Sequence, residues 1–232
     1  MIIKYNLTVK TEYHIGTGLE RPGVVDRTLV TRTDGTLVIP AEHFRGIVRD
    51  ACTQILYWIG KESECCESSR TKAPLQSQQG RVPKTCGVNF GSKDNPCVLC
   101  RLFGTTFIPK RYHFFDSIAE DKKRKRVSMH NRVDSVIGRV PEDTFFSFEV
   151  GAPVNFTGKI ERDKSKVEQE QLDEEIGLLL AGLRLVEHVG ARSRRGWGEC
   201  RVKITDIIPE QNKTVDELIG NYLNVDVKGG EK

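Results

Sequence analysis

The segment LDEEIGLLLAGLRLVEHVGARSRRGWGECRVKITDII, residues 172–208, predicts a helix, a loop and a strand in direct succession. Four apolar residues of its first part recur at helical spacing on one face: Ile176, Leu179, Leu180 and Leu183. We expect this helix to run from Leu172 to about His188, with Gly190 beyond its end as a candidate C-cap. The apolar residues between 201 and 208 suit a strand.

The first sixty residues predict a strand, a turn and a helix. Residues 3–9 alternate between apolar and polar side chains, which is the period of a half-buried strand. The Asp-Gly pair at 34–35 is a strong turn signal. Apolar residues at helical spacing then predict a helix over 40–59.

The rest of the chain indicates an insertion and a hairpin. Residues 61–100 lack periodicity, are rich in polar residues and contain several cysteines, so we expect an inserted cysteine-rich segment between the two parts of one domain, 1–60 and 101–210. A protruding hairpin is expected around 118–145, and 211–232 is expected to be a tail with a short helix. Helices separated by strands and hairpins predict an α+β fold with the helices on one face of a sheet.

Composition is that of an ordinary globular protein, with 38% hydrophobic and 29% charged residues. No apolar run approaches the roughly 20 residues that cross a bilayer, and the N-terminus lacks a signal-peptide pattern, so we expect a cytoplasmic protein. The net charge is only +4, but an unbroken basic run occupies 122–126. Clustered cations in a nearly neutral chain indicate a localised polyanion site.

The loop at 190–198, GARSRRGWG, has the composition of a phosphate-binding segment. Glycines let main-chain amides approach a ligand, arginines offer bidentate donors to phosphate, and Trp197 offers a face on which a base can stack. Its helix–loop–strand order differs from the strand–loop–helix order of a dinucleotide fingerprint. The alternative is a tight turn in which the glycines serve packing, the arginines are solvated and Trp197 is buried.

The cysteines indicate a structural zinc site. Cys97 and Cys100 have the spacing of a zinc knuckle, and Cys86 lies eleven residues upstream. Cys65 or Cys66 can complete a tetrahedral set, and His113 is a weaker candidate. The alternative is a set of reduced thiols in a loop. Cys52 and Cys200 are expected in the core.

The order of motifs along the chain resembles that of the RAMP superfamily, the repeat-associated RNA-binding proteins of CRISPR systems. The segments that carry the resemblance are His14–Gly18, Asp26, Ile39–Arg49, Leu102–Gly104, His130–Asp134, Phe145–Glu149 and Gly190–Gly198. Within the superfamily, the chain looks most like the backbone subunit of type III interference complexes. The resemblance implies a ferredoxin-like (RRM-like) palm with a thumb hairpin. It also implies partners: CRISPR guide RNA, complementary target RNA, and other effector subunits, including copies or paralogues of this chain.

The resemblance further implies that target RNA is cut near Asp26, the aspartate in the loop after the first strand. An unperturbed aspartate is a weak base at neutral pH, so Asp26 would hold a hydrated Mg²⁺ or orient the 2′-hydroxyl of the RNA. Arg45 and Arg49, four residues apart on one helix, can reach guide phosphates together, or can be solvated. The residues assigned to RNA contact are His14, Arg27, Arg45, Arg49, Lys122, Lys123, Arg124, Lys125, Arg126, Arg132, Gly190, Arg192, Arg194, Arg195, Gly196 and Gly198.

Three other functions remain open at this point. The first is a purely architectural RNA-binding subunit with an inert Asp26. The second is a stand-alone ribonuclease that processes guide RNA, which needs a histidine near the glycine loop, where the sequence offers His188. The third is a zinc-containing interaction module unrelated to RNA.

Overall fold

The fold is described from a computed structural model, which covers residues 1–66, 84–89, 95–121, 125–131, 138–140, 145–164, 168–209 and 213–223. Four residues assigned above to RNA contact lie outside this described part of the chain: Lys122, Lys123, Arg124 and Arg132.

A six-stranded sheet forms the centre of the molecule. Its strands are β1 (Ile2–Val9), β2 (Val38–Ile39), β3 (Tyr112–Phe114), β4 (Ser117–Ala119), β7 (Val154–Arg162) and β8 (Cys200–Ile208). Strand β1 pairs antiparallel with β7 on one side and with β8 on the other. Strand β7 also pairs with β3 and β4, and β2 pairs with β4.

Four α-helices are described: α1 (Ala41–Trp58), α2 (Val98–Phe103), α3 (Gln169–Leu185) and α4 (Val215–Leu223). Helices α1 and α3 share one core with the sheet, whose central strand β1 contributes every second residue to it. They cross closely because Gly182 leaves room for Cys52, whose thiol donates to the Leu178 carbonyl at 3.5 Å. The opposite face of β1 presents Lys4, Asn6 and Thr8, none of which is buried.

This connectivity is that of a ferredoxin-like fold. Helix α1 lies in the chain between β1 and the strands β3 and β4 that pair with β7, and α3 lies between β7 and β8. Two split β-α-β units therefore interlock, and β1 and β7 come together at the centre of an antiparallel sheet. The mixed α+β class and its ferredoxin-like core are confirmed.

A separate two-stranded ribbon pairs β5 (Lys125–His130) with β6 (Phe146–Gly151). Backbone hydrogen bonds in both directions between Tyr13 and Gly151 join β6 to the segment after β1. Strand β4 belongs to the main sheet, so the hairpin expected around 118–145 begins after it, and its returning strand extends to Gly151.

Most predicted elements are present, with two corrections. The first strand, the first helix, the last strand and the tail helix are confirmed. Helix α3 starts and ends three residues before its expected bounds, so Gly190 lies five residues past the helix and is not its C-cap. Strand β7 had no counterpart among the predictions, although Phe156 and Ile160 are buried beside exposed Asn155, Thr157 and Lys159 in a two-residue alternation.

We expect Gly158→Ala to destabilise the palm by about 1–3 kcal/mol, because a Cβ there would overlap the ring of Tyr5 in a close-packed core. The matched control is Gly46→Ala in α1, where nothing lies within 4 Å of the new methyl group. That change should stabilise the protein by about 0.5–1 kcal/mol through helix propensity. Urea unfolding midpoints measure both effects, and equal shifts of one sign would contradict the packing described for Tyr5.

Candidate functional site

The buried carboxylate of Glu149 joins strand β6 to the loop that follows β1. Its Oε2 accepts the Leu29 amide at 3.0 Å, and its Oε1 accepts the Lys125 ammonium at 3.0 Å, with Arg21 at 3.6 Å. Burial alone would raise the pKa of Glu149. The Leu29 amide, Lys125 and Arg21 together lower it by more, so the pKa lies below the ordinary value for a glutamate. The carboxylate is therefore ionised at neutral pH and holds three segments together.

His14 serves the same junction and is only 5% exposed. Its Nδ1 lies 2.7 Å from the Glu149 carbonyl and donates a hydrogen bond to it, and its ring meets Phe148 edge-on at 5.2 Å. A side chain so enclosed is a structural hydrogen-bond donor. The assignment of His14 to RNA contact is therefore corrected.

Asp26 lies exposed at the edge of β6. Its Oδ2 accepts both the amide of Ser147 at 2.6 Å and the Ser147 hydroxyl at 2.9 Å, while its own amide donates to that hydroxyl at 3.0 Å. The Ser147 amide first, and then its hydroxyl, lower the pKa of Asp26. Asp26 is thus an ionised, oriented carboxylate and a poor proton acceptor.

The guanidinium of Arg192 lies among four aromatic rings, which we call the arginine cage: His130, Phe146, Phe148 and Trp197. Its Cζ is 4.0 Å from the centre of the Phe148 ring, 5.3 Å from Trp197 and 5.6 Å from Phe146. Such cation–π contacts restrict the planar group to few orientations. Trp197 is partly exposed, so it is neither a core residue nor a freely solvated one.

His130 completes the cage as a neutral ring. It stacks on Phe146 at 5.8 Å, and its Nε2 lies 3.3 Å from Arg192 Nη1. Because arginine can only donate, Nε2 must accept, which places the ring proton on Nδ1. Burial, together with Arg192, Arg195 and Arg126, lowers the pKa of His130 and favours the same neutral state.

The loop glycines serve close packing. A Cβ on Gly198 would overlap the Val189 carbonyl, and one on Gly190 would lie 2.5 Å from the carbonyl oxygen of His14. Their amides already have partners: that of Gly190 donates to His43 Nε2 at 3.2 Å, that of Gly196 to Ser193 at 2.9 Å, and that of Gly198 to Glu12 at 2.7 Å. The expectation that these amides hold phosphate is therefore wrong.

Asp26 and the cage lie on opposite faces of β6. The Asp26 side chain contacts Ser147. Arg27, the next residue, forms a backbone β-bridge with Phe148, and its guanidinium lies 5.4 Å from the centre of the Phe148 ring. Alternate residues of a strand point to opposite faces. The Gly-Arg loop and Asp26 therefore approach the same strand, but they present their groups to two different surfaces.

The other predicted basic residues have distinct settings. Arg194 and Arg195 are exposed on the loop, and Arg45 is half-buried on α1. Arg126 forms a two-pronged ion pair with Glu12, at 2.7 Å for both hydrogen bonds, which raises the pKa of Arg126. Burial lowers the pKa of Arg192 most, and the nearby positive charges of Arg195 and Arg27 lower it further. The three arginines form a concentrated cationic surface.

Four cysteines converge at the start of α2: Cys66, Cys86, Cys97 and Cys100, whose sulfurs all lie within 4.8 Å of one another. The Cys66–Cys100 and Cys66–Cys97 sulfur separations are 3.4 and 3.9 Å. A tetrahedral Zn²⁺ with bonds of about 2.3 Å places its sulfurs about 3.8 Å apart. The Cys97 amide also donates to Cys86 Sγ at 3.4 Å. The donor set thus fits a structural zinc ion.

Two other residues considered for this centre lie outside the group of four. Cys65 is buried in the main core, where its side chain contacts that of Cys97, and His113 is exposed on β3, where it pairs with Glu161. Arg49, assigned above to guide phosphates, lies beside this centre: burial lowers its pKa, while Cys100 and Cys66 raise it. Cys52 and Cys200 are buried core residues, as predicted.

Sequence reasoning missed several residues of this site. Glu149, Ser147 and Phe148 were recognised only as part of a strand, and His130 only as part of a motif. His43 was not assigned a role, although burial lowers its pKa and its Nε2 accepts the Gly190 amide. The alternation of Phe146 and Phe148 was the one available signal, because it predicts that both rings share a face.

Comparison with known proteins agrees with this architecture. The profile of the RAMP superfamily matches residues 6–201 of the 232-residue chain. The chain belongs to the RAMP superfamily, a group of CRISPR-associated RNA-binding proteins. No curated protein matches it. Within the described residues, no helix is both long and apolar enough to cross a membrane.

We expect Cys66→Ser to lose stoichiometric zinc, because it removes one of the four converging thiolates. Cys65→Ala is the matched control, since Cys65 is adjacent in sequence and buried but lies outside the group of four. Metal analysis after dialysis, with Co²⁺ substitution as a spectroscopic check, measures the difference. Zinc retained by the Cys66 variant and lost by the Cys65 variant would reverse this assignment.

We expect Arg192→Ala to weaken binding of single-stranded RNA by about tenfold, and to reduce the slope of log affinity against log salt by about one. Arg192→Lys should preserve the slope but still bind less tightly, because an ammonium lacks the planar face that the cage orients. Arg32→Ala, an exposed arginine near the open face of the sheet, is the control. Fluorescence anisotropy at several salt concentrations measures both effects. An unchanged slope in Arg192→Ala would contradict a contact between Arg192 and RNA phosphate.

Proposed function

We propose that the chain is an RNA-binding backbone subunit of a type III CRISPR effector complex, and that it holds guide RNA and cleaves the complementary target RNA at Asp26. The observation that carries this proposal is the convergence on β6 of an exposed ionised carboxylate and a caged arginine. Superfamily membership supplies the RNA and the CRISPR context. In this proposal, the face of β6 with the arginine cage contacts the guide RNA, and the opposite face, with Asp26, contacts the target RNA.

The cage is suited to guide binding. Arg192, Arg27 and Arg195 offer guanidinium donors that match phosphate, and Trp197 leaves part of its ring accessible for a base. Because the aromatic rings already orient Arg192, less side-chain entropy is lost when a phosphate binds. The glycines act by letting the chain turn tightly enough to present these side chains.

Asp26 is suited to orienting an attacking group. In the proposed reaction the target 2′-oxygen bonds to the adjacent phosphorus, the bond from phosphorus to the 5′-oxygen breaks, and a 2′,3′-cyclic phosphate and a 5′-hydroxyl result. The carboxylate of Asp26 accepts the hydrogen bond of the 2′-hydroxyl and aligns it, and the proton passes to water. Water returns a proton to the leaving oxygen. Arg27, next in sequence, faces the cage rather than Asp26, so in this proposal it contacts guide phosphate.

If a divalent ion such as Mg²⁺ binds at Asp26, it would supply charge stabilisation and a base for the 2′-hydroxyl proton. Among the described residues, the group of four cysteines is the one set of three or more converging metal-ligand side chains. Asp26 would therefore contribute a single carboxylate, and water and RNA phosphate would supply the remaining oxygen ligands. The four-cysteine centre would hold zinc in a structural role.

The proposed partners are guide RNA, target RNA and other effector subunits, including copies or paralogues of this chain, in the cytoplasm. The thumb hairpin would displace one nucleotide of the guide–target duplex in each subunit. Lys125, paired with Glu149, and Arg126, paired with Glu12, both lie on the β5 strand of that hairpin.

Two alternative functions have support from particular contacts. The paired hydrogen bonds from Ser147 to Asp26 are also what a loop-capping aspartate would make, which favours an architectural subunit with no cleavage activity. A guide-processing ribonuclease is favoured by two histidines at the Gly-Arg loop, His43 and His130. Incubation of the isolated protein with repeat RNA tests that activity, because an architectural or target-cleaving subunit leaves such RNA intact.

We expect Asp26→Asn to reduce target cleavage by the assembled complex at least 100-fold, while guide binding changes less than twofold. The amide oxygen can still accept the Ser147 hydrogen bonds, so the loop keeps its shape while the negative charge is lost. Product analysis of labelled target RNA measures cleavage, and guide co-purification measures assembly. Unchanged cleavage would exclude a catalytic role for Asp26 and favour the architectural function.

We expect Ser147→Ala to move the acid limb of the cleavage rate to higher pH. The pKa of Asp26 is lowered partly by the Ser147 hydroxyl, so the ionised carboxylate persists to low pH and is lost as pH falls through that pKa. Removing the hydroxyl raises the pKa toward its ordinary value, while the backbone hydrogen bond remains. Rates of the assembled complex between about pH 2 and 6 measure the shift, because both values of the Asp26 pKa lie at or below its ordinary value of 3.8. A limb that moves to lower pH would contradict the ionised role of Asp26.

A further inference from the structure

Arg101 is a buried arginine that directly follows the cysteine centre in sequence. Its guanidinium donates from Nη1 to the Pro96 carbonyl at 2.9 Å and from Nε to Glu175 at 2.9 Å, and Nη2 bonds Glu174. Pro96 immediately precedes Cys97, and Arg101 immediately follows Cys100. One side chain therefore ties together the two ends of the knuckle that presents both thiols.

Glu175 is the fixed point for this arginine. It lies on α3 with no exposed surface. Besides Arg101, its Oε1 accepts Arg111 Nη1 at 2.6 Å, and Arg162 Nε lies 3.7 Å from Oε2. The backbone reinforces the arrangement, because the Arg111 amide donates to the Arg101 carbonyl at 2.9 Å. The network joins α2, α3, β7 and the segment before β3.

The charges of this network are unbalanced on their own. Three arginines (Arg101, Arg111 and Arg162) surround two carboxylates (Glu174 and Glu175), which leaves a net charge of +1 in a largely buried region. Buried charge is costly unless it is compensated nearby. A zinc ion with four thiolates carries a net charge of −2, and two of its ligands, Cys97 and Cys100, lie at the start of α2, next to Arg101 in sequence. Arg49 approaches the same thiols from α1.

We infer that Arg101 and Glu175 are positioning residues for the metal centre: through the Pro96 carbonyl they hold the knuckle in its metal-binding conformation, and the buried cations offset the charge of the thiolate–metal group. Metal affinity and the stability of the palm are then linked, because the same side chains serve both. Neither residue touches the metal. This inference is independent of whether Asp26 cleaves RNA.

The test is the Zn²⁺ affinity of purified full-length variants, measured by competition with a chromogenic chelator. Arg101→Gln should weaken Zn²⁺ binding 10- to 100-fold, which is the effect typical of groups that orient metal ligands. Arg101→Lys should recover only part of the loss, because one ammonium cannot reach the Pro96 carbonyl and both carboxylates. Glu175→Gln should weaken binding as well, since it frees Arg101 from its anchor.

Arg184→Gln is the matched control. Arg184 also lies on α3 and pairs with a carboxylate, that of Asp216, but both side chains are exposed. Its Zn²⁺ affinity should be unchanged. The Co²⁺ absorption spectrum adds a readout of ligand geometry, and the thermal shift on adding Zn²⁺ should be smaller in Arg101→Gln than in the unmodified protein.

A variant that does not fold is replaced by the double change Arg101→Met with Glu174→Leu, which removes Arg101 together with a carboxylate that pairs with it, while Glu175 is kept for Arg111 and Arg162. Replacement of a buried ion pair in this way is often tolerated. The inference predicts that this folded double variant still binds Zn²⁺ at least tenfold more weakly, with an altered Co²⁺ spectrum. Zn²⁺ affinity equal to that of the unmodified protein, in either Arg101→Gln or the double variant, would overturn it.

Discussion

The need to compensate the buried carboxylate of Glu149 organises the whole candidate site. An ionised group so enclosed is stable only when donors surround it, and here these are the Leu29 amide and the Lys125 ammonium, with Arg21 nearby. Each donor belongs to a segment that would otherwise be a solvated loop or hairpin. The compensation of one charge therefore places Asp26 at one face of β6 and the arginine cage at the other.

The Gly-Arg loop has the composition of a phosphate-binding segment, but its glycine amides are used within the protein. Its glycines permit close contacts with the carbonyls of His14 and Val189, and the amides of Gly190, Gly196 and Gly198 donate within the protein. The tight path that results turns Arg192 into the cage and leaves Arg194 and Arg195 exposed. The groups that the loop leaves available to a ligand are therefore guanidinium side chains rather than the amides of these glycines.

A second buried carboxylate, Glu175, has an analogous role at the other end of the palm. It connects α3 to the cysteine knuckle through Arg101, as Glu149 connects β6 to the loop that carries Asp26. The insertion thereby becomes a part of the core: Val98 and Leu99 are buried with it.

The sequence by itself determined the regular elements that follow from periodicity, namely β1, α1, β8 and α4, and the cysteine knuckle, whose ligands are close in the chain. It also made Asp26 a candidate through the family resemblance, and Arg192 and Trp197 through the composition of their loop. Only the tertiary structure decided that β7 is central, that Cys66 rather than Cys65 joins the four-cysteine group, that Arg49 lies beside the cysteines, and that His14 is enclosed. The physical reason is that periodicity and motif spacing depend on neighbours in the chain. Burial and charge compensation, by contrast, depend on partners more than a hundred residues away, such as Ser147 for Asp26 and Glu149 for Leu29.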